Sequence, residues 1–259
     1  MSITITTEQV KELRDATGIS VMQCRRALEE AEGDMKKALA ILKKTSSEIA
    51  LKKADREVKD GRVAIKSNDQ KSIMVALHCE TDFVARNEDF VNLLETLATI
   101  ALNDGVEKMR SEAKGLIDGV IQKTGENITL GEVIEVSGNT VGSYVHNNKM
   151  AVIVSLNGGN TEIAKDVAMH IAAMKPEYIT AKDIDEEAKK TMSEVFTKEV
   201  ANVDKPEDIK KKMLEGKINT YFKEKTLVDQ AFIKNGDETV GKLLERNKAE
   251  IKEVKKYSI

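Results

Sequence analysis

Two stretches of this chain follow one plan, and the repetition limits what it can fold into. In the first, Arg62 to Lys66 and Ser72 to Cys79 read as strands joined by Asn68-Asp69 turn chemistry. The second strand holds the unbroken apolar run Ile73-Met74-Val75-Ala76-Leu77, which suits a buried strand. A helix then sets Phe90, Leu93, Leu94, Leu97 and Ala101 on one face. Asn87 is its expected N-cap, with Glu88 and Asp89 in the first turn. From Gly142 the plan restarts. Ser143 to His146, a turn at Asn147-Asn148 and Met150 to Leu156 lead into a helix carrying Ile163, Val167, His170, Ile171 and Met174. A duplicated strand-strand-helix unit predicts an α+β fold whose core has two similar halves built on antiparallel strands.

Around this core the pattern is helical. The first fifty residues read as three short helices forming a small bundle. Thr6 with Gln9 and Ser20 with Gln23 are candidate capping boxes, and Gly18 and Gly33-Asp34 are stops. Val10, Leu13, Val21, Cys24, Leu28, Ala31, Ala38, Leu39 and Leu42 supply the inner sides. Val21 and Met22 are either core, which the residues alone favour, or an exposed apolar contact. Residues 45–59 read as a charged linker with partial helicity. Glu107 to Lys123 reads as helix, and Thr129 to Val136 as a short helix and an extended piece. Ile184, Ala188, Met192 and Val195 form the seam of one long helix, and Pro206 opens a second with Leu214, Ile218, Tyr221 and Phe222. The two make an antiparallel helical hairpin inserted in the core. Thr239 caps an expected C-terminal helix with Val240, Leu243, Leu244 and Ile251 on one face. The expected parts are therefore 1–55 (three-helix module and linker), 56–140 (first core half), 141–182 continuing at 227–238 (second half), 183–226 (hairpin) and 239–259 (C-terminal helical module).

Acids outnumber bases by 44 to 41, against the basic surplus of a general nucleic-acid binder, so no direct nucleic-acid partner is expected. No apolar run has the length of a membrane span, and MSITITTEQVKEL has neither a signal-peptide core nor transit-peptide character. The expected location is the cytoplasm, in keeping with only two cysteines, Cys24 and Cys79.

Three features imitate reactive chemistry. Gly236 to Lys242 matches most of a phosphate-binding loop, but Leu243 stands where a magnesium-binding hydroxyl belongs, and Asp237 and Glu238 oppose phosphate. His78 and Cys79 are adjacent on a strand and so face opposite sides, which separates a nucleophile from its base. His146 and His170 lack partners at metal-site spacing. No catalytic, cofactor or metal residue is expected. His146, beside a turn, is either a partner contact or a plain surface histidine.

The loop HCETDFVARN behaves less like scaffold. Phe83 is one of five phenylalanines in a chain with four tyrosines and no tryptophan. On the residues alone, it either folds back on the local core, the commoner fate, or is presented outward as an anchor for another protein. CETDFVARN resembles the signature of elongation factor Ts, the guanine-nucleotide exchange factor of the GTPase elongation factor Tu. LRDATGISVMQCRRAL, DVAMHIAAMKPEY and LVDQAFIKNGDETVGKLLE resemble other segments of that family, in order, so that the resemblance covers nearly the whole chain. It implies an N-terminal module of ubiquitin-associated-like fold and a coiled-coil hairpin of bacterial type. It implies that Arg14, Val21 and Met22 dock on the GTPase domain of elongation factor Tu. It further implies that Thr81, Asp82, Phe83 and Val84 enter that partner near its magnesium site, dislodging the ion and GDP. Two rivals are an adaptor that binds a ubiquitin-like or helical partner through the first fifty residues, and an enzyme using carboxylates or Cys79.

Overall fold

The computed structural model describes residues 4–259. Helix α1 (Thr7–Thr17) opens with the expected capping box: the Thr6 hydroxyl accepts from Gln9 N, and Gln9 Oε1 accepts from Thr6 N. Gly18 stops it in the left-handed region. At α2 (Val21–Glu30) the second box closes differently. Ser20 accepts from Gln23 N, but its own hydroxyl donates to the Gln23 side chain instead of leaving that group to the backbone. Asp34 caps α3 (Met35–Lys53). Val10, Leu13, Cys24, Leu28, Ala38 and Leu42 fill the core among these helices, whereas Leu39, expected inside, is exposed.

Residues 45–53, expected as linker, continue α3 without a break. They contain no glycine or proline, and their small side chains fit against α6 (Val106–Thr124). There Ser46 bonds to Gln122, the Ser47 hydroxyl donates to Asp118 Oδ2 at 2.7 Å, and Ala50 enters the next core.

The first half of the core pairs β1 (Asp60–Ser67) with β2 (Lys71–Cys79) antiparallel, Val63 opposite Ala76 and Ile65 opposite Met74. Asn68 Oδ1 closes the turn by accepting from Gln70 N and Lys71 N. After α4 (Asp82–Ala85), α5 (Glu88–Asp104) and α6 comes β3 (Ile128–Ser137). Residues 129–136 are thus strand throughout, with no short helix, because β3 pairs beside β2 and that sheet takes up its backbone hydrogen bonds. The second half has β4 (Thr140–His146), β5 (Met150–Gly158) and α7 (Thr161–Met174). Asn147 and Asn148, at φ 49° and 57°, make the tight left-handed turn that hairpins favour.

Next come α8 (Glu186–Ala201) and α9 (Glu207–Lys225), which pack on each other, then β6 (Ala231–Phe232), β7 (Asn235–Thr239), α10 (Val240–Arg246) and β8 (Ala249–Ser258). Thr239 caps α10 as expected, but the helix ends at Arg246, and Ile251 lies on strand β8 beside β5. The duplication therefore reaches further than the strand-strand-helix unit. Each half is a hairpin with a third strand beside its second member, in the orders β1-β2-β3 and β4-β5-β8. The chain divides into two units. One runs up to Glu135 and takes in Val145–Ala151 and Lys256–Ile259; the other comprises Val136–Tyr144 and Val152–Lys255.

Within the second unit His170 is wholly buried. Gln230 Oε1 lies 2.9 Å from Nε2, and Nδ1 accepts from Ile233 N at 3.2 Å. Both ring nitrogens are committed to the neutral form, and burial pulls the pKa below its ordinary value despite the Gln230 bond. The neutral ring therefore stabilises the fold fully above about pH 6.5, and that contribution is lost as pH falls toward the lowered pKa. Unfolding free energy should drop on acidification below about pH 6.5 by at most about 1.4 kcal/mol per pH unit from this group. Denaturant melts of His170→Gln should lack that component; an unchanged slope would contradict it.

Candidate partner-docking site

The loop after β2 is not open chain but one turn of helix. Thr81 is its N-cap, accepting from Val84 N at 3.4 Å, and Ala85 N and Arg86 N return to Thr81 O and Asp82 O, each at 3.1 Å. Asp82 in the first turn favours the positive helix end and pairs with Arg86 at 3.1 Å. The turn sorts its side chains sharply. Val84 and Ala85 are buried in the cluster with Leu77, Phe90 and Leu94, whereas Phe83 is 82% exposed. Of the two fates open to Phe83, the structure shows the outward one. Val84, grouped with it by resemblance, is turned inward at 9% exposure and seats the turn.

Glu126 grips the base of this turn. Its carboxylate accepts from Thr81 N at 3.0 Å and from the Thr81 hydroxyl at 2.7 Å. Beside it, Glu80 Oε1 accepts from Asn127 N at 2.6 Å and lies 3.4 Å from the Arg56 guanidinium. Sequence reasoning passed over Glu126 and Asn127. Their one local signal is Gly125, which ends α6 in the left-handed region and turns the chain toward the loop.

Arg14, Val21 and Met22 flank the α1–α2 corner. Arg14 lies exposed in the last turn of α1, its carbonyl accepting from Gly18 N at 2.7 Å. Val21 and Met22, expected in the core on the residues alone, instead start α2 at 48% and 76% exposure, because Cys24 and Leu28 already fill the helix's inner side. His146 is exposed at the end of β4, 3.3 Å from the Asn147 amide. That hairpin tip lies along β1: Val63 N donates to Asn148 O at 2.9 Å, and Lys149 pairs with Asp60 and donates to Gly61 O at 2.7 Å.

The thiol of Cys79 is buried and donates to Thr81 O at 3.2 Å. Burial first, then Asp60 and Glu126, push its pKa up to about 12, so it holds its proton and is a poor nucleophile. His78 faces away from it, its Nε2 2.8 Å from the Tyr257 hydroxyl. The phosphate-loop imitation is the exposed strand β7 running into α10. Among the described residues no cluster of His, Cys, Asp and Glu is placed to hold a metal, and no helix is long and apolar enough to cross a membrane.

An aromatic held outward on a clamped turn, beside a thiol kept protonated, equips a protein to dock on another protein. Residues 80–259 match the family described as Elongation factor TS. Elongation factor Ts of Hahella chejuensis is 40% identical over 262 residues, spanning 98% of this chain and 92% of that protein. That of Thioalkalivibrio sulfidiphilus is 37% identical over 271 residues (99% and 92%), and that of Teredinibacter turnerae 40% over 266 (96% and 89%). The chain belongs to the elongation factor Ts family.

Proposed function

We infer that this chain releases GDP from elongation factor Tu by pressing Phe83 into the partner beside its magnesium site. It is a translation elongation factor that acts by nucleotide exchange, without covalent chemistry of its own. One observation carries the mechanism: Phe83 stands 82% exposed on a turn whose neighbours Val84 and Ala85 are fixed in the core. Burying that ring in a partner contributes about 1.5–3 kcal/mol, enough to offset part of the cost of displacing elements around the ion. The ion bridges phosphate oxygens to protein, so disturbing its ligands loosens the nucleotide. Asp82 stands next to the ring and opposes phosphate by charge; Thr81 and Val84 hold the turn.

The second contact is the α1–α2 corner, where Val21 and Met22 add apolar area and Arg14 a charge-assisted hydrogen bond to the GTPase domain. The three N-terminal helices serve as a ubiquitin-associated-like docking module, α8 and α9 form a coiled-coil hairpin, and His146 is an auxiliary contact. The protein works in the cytoplasm and needs neither nucleic acid nor a cofactor. Met22→Ala should weaken the complex roughly tenfold, the loss of a buried side chain's worth of contact, while leaving the melt unchanged. Calorimetric titration into nucleotide-free elongation factor Tu checks this, and wild-type affinity would exclude Met22 from the interface. The function itself is tested by mixing the chain with elongation factor Tu loaded with fluorescent GDP. Release should speed up with added chain; a rate independent of the chain would refute the reading.

A further inference from the structure

Both docking elements converge on the end of one helix. Lys123, in the last turn of α6, donates to Asp89 Oδ1 at 2.7 Å, just beyond the Phe83 turn. The same ammonium lies over Gly18 at the α1–α2 corner, close enough that a Cβ there would push the lysine aside. Lys53, at the end of α3, donates to Gly125 O. Glu126 takes both donors of Thr81. Asn127, only 3% exposed, donates its backbone N–H to Glu80 and its side-chain amide to Ala54 O and Arg56 O at 3.3 and 2.8 Å. Further up α6, Asp118 and Gln122 bind Ser47 and Ser46. The short segment from Lys123 to Asn127 thus touches the α1–α2 corner, the end of α3 and both sides of the Phe83 turn.

We propose that Lys123, Glu126 and Asn127 are positioning residues that brace the α1–α2 corner against the Phe83 turn, so that the two docking elements meet the partner at one fixed separation. This rests on the reading of Phe83 as the inserted side chain. A flexible linker after the third helix would leave the N-terminal module free to dock without aiming the ring. Here α3 runs unbroken to Lys53, and the three residues immediately beyond it are pinned through Asn127. Binding at the corner then delivers Phe83 to one place, and the ordering cost of alignment is met before the encounter. None of the three touches the partner in this account; they act through Thr81, Gly18 and α3.

The brace is tested on the full chain by two measurements. Spin labels at Arg25→Cys and Arg86→Cys report the separation of α2 from the Phe83 turn; the native Cys24 and Cys79 are buried and stay unlabelled. The distance distribution should be narrow and single, and should broaden when Glu126→Ala and Asn127→Ala are combined. In an unlabelled background the same pair should lower the GDP release rate at saturating chain roughly 10- to 100-fold, as loss of orientation does, with the half-saturating concentration much less affected. Glu126→Gln keeps an acceptor for the Thr81 hydroxyl and should restore part of the rate. A distribution that stays narrow, or a wild-type rate at saturation, overturns the proposal. Should the double variant not fold, Lys123→Ala is read on both measurements by the same criteria. If the wild-type chain itself fails to release GDP, the exchange reading falls, while the distance measurement still decides the brace.

Discussion

Phe83→Ala should slow catalysed GDP release roughly 10- to 150-fold while leaving the chain as stable as before. The factor follows from losing about 1.5–3 kcal/mol of side-chain burial that is realised only as the ring enters the partner. Stability should stay within about 0.5 kcal/mol, because the ring makes almost no contact in the free protein. Binding to nucleotide-free elongation factor Tu should weaken less than the rate does, since Arg14, Val21 and Met22 still dock. Chelating magnesium should shrink the defect, as the ring's task is then already done. The check is a release time course at saturating chain, with and without chelator. A wild-type rate in excess magnesium would show that Phe83 is not the wedge.

The neighbouring aromatic should behave in the opposite way. Phe90 is wholly buried and belongs to the cluster that holds Leu77, Val84, Ala85, Leu94 and Leu97. Phe90→Ala removes a ring from a packed interior and should cost about 3–5 kcal/mol, a large part of a typical domain's 5–15 kcal/mol. Because Val84 seats the Phe83 turn in that same cluster, exchange should suffer too, but only in step with unfolding or local loosening. Urea unfolding followed by circular dichroism gives the comparison. A change under about 1 kcal/mol would mean that the cluster collapses around the gap, contrary to the cost expected of a wholly buried ring.

What the sequence makes legible is local. The Thr6–Gln9 box, the Asn87 and Thr239 caps and the Asn147-Asn148 turn depend on residues a few positions apart, and each lies where expected. Likewise the inner faces of α5 and β2 follow from their spacing. Distant partners decide the rest. Thr45-Ser46-Ser47 looks like linker until Gln122 and Asp118 supply the bonds that keep it helical and packed. The lysine- and glutamate-rich tail reads as helix, yet from Ala249 onward it joins the sheet beside β5, a strand nearly a hundred residues earlier. At the site, composition marks Phe83 as unusual but not its direction. That direction is fixed by Val84 and Ala85 taking the inside of the turn and by Glu126 holding Thr81 from across the chain.

An exchange factor that works by binding alone is bound by linkage. Whatever factor the chain takes from the affinity of elongation factor Tu for GDP, GDP must take from the affinity of elongation factor Tu for the chain. The direct measurement is the full thermodynamic square: GDP binding to elongation factor Tu with and without saturating chain, and chain binding with and without saturating GDP, in one buffer at fixed magnesium. Equal weakening on both sides, reduced in parallel by Phe83→Ala, is the expected result. A chain that binds the GDP-loaded and nucleotide-free partner equally well would contradict it.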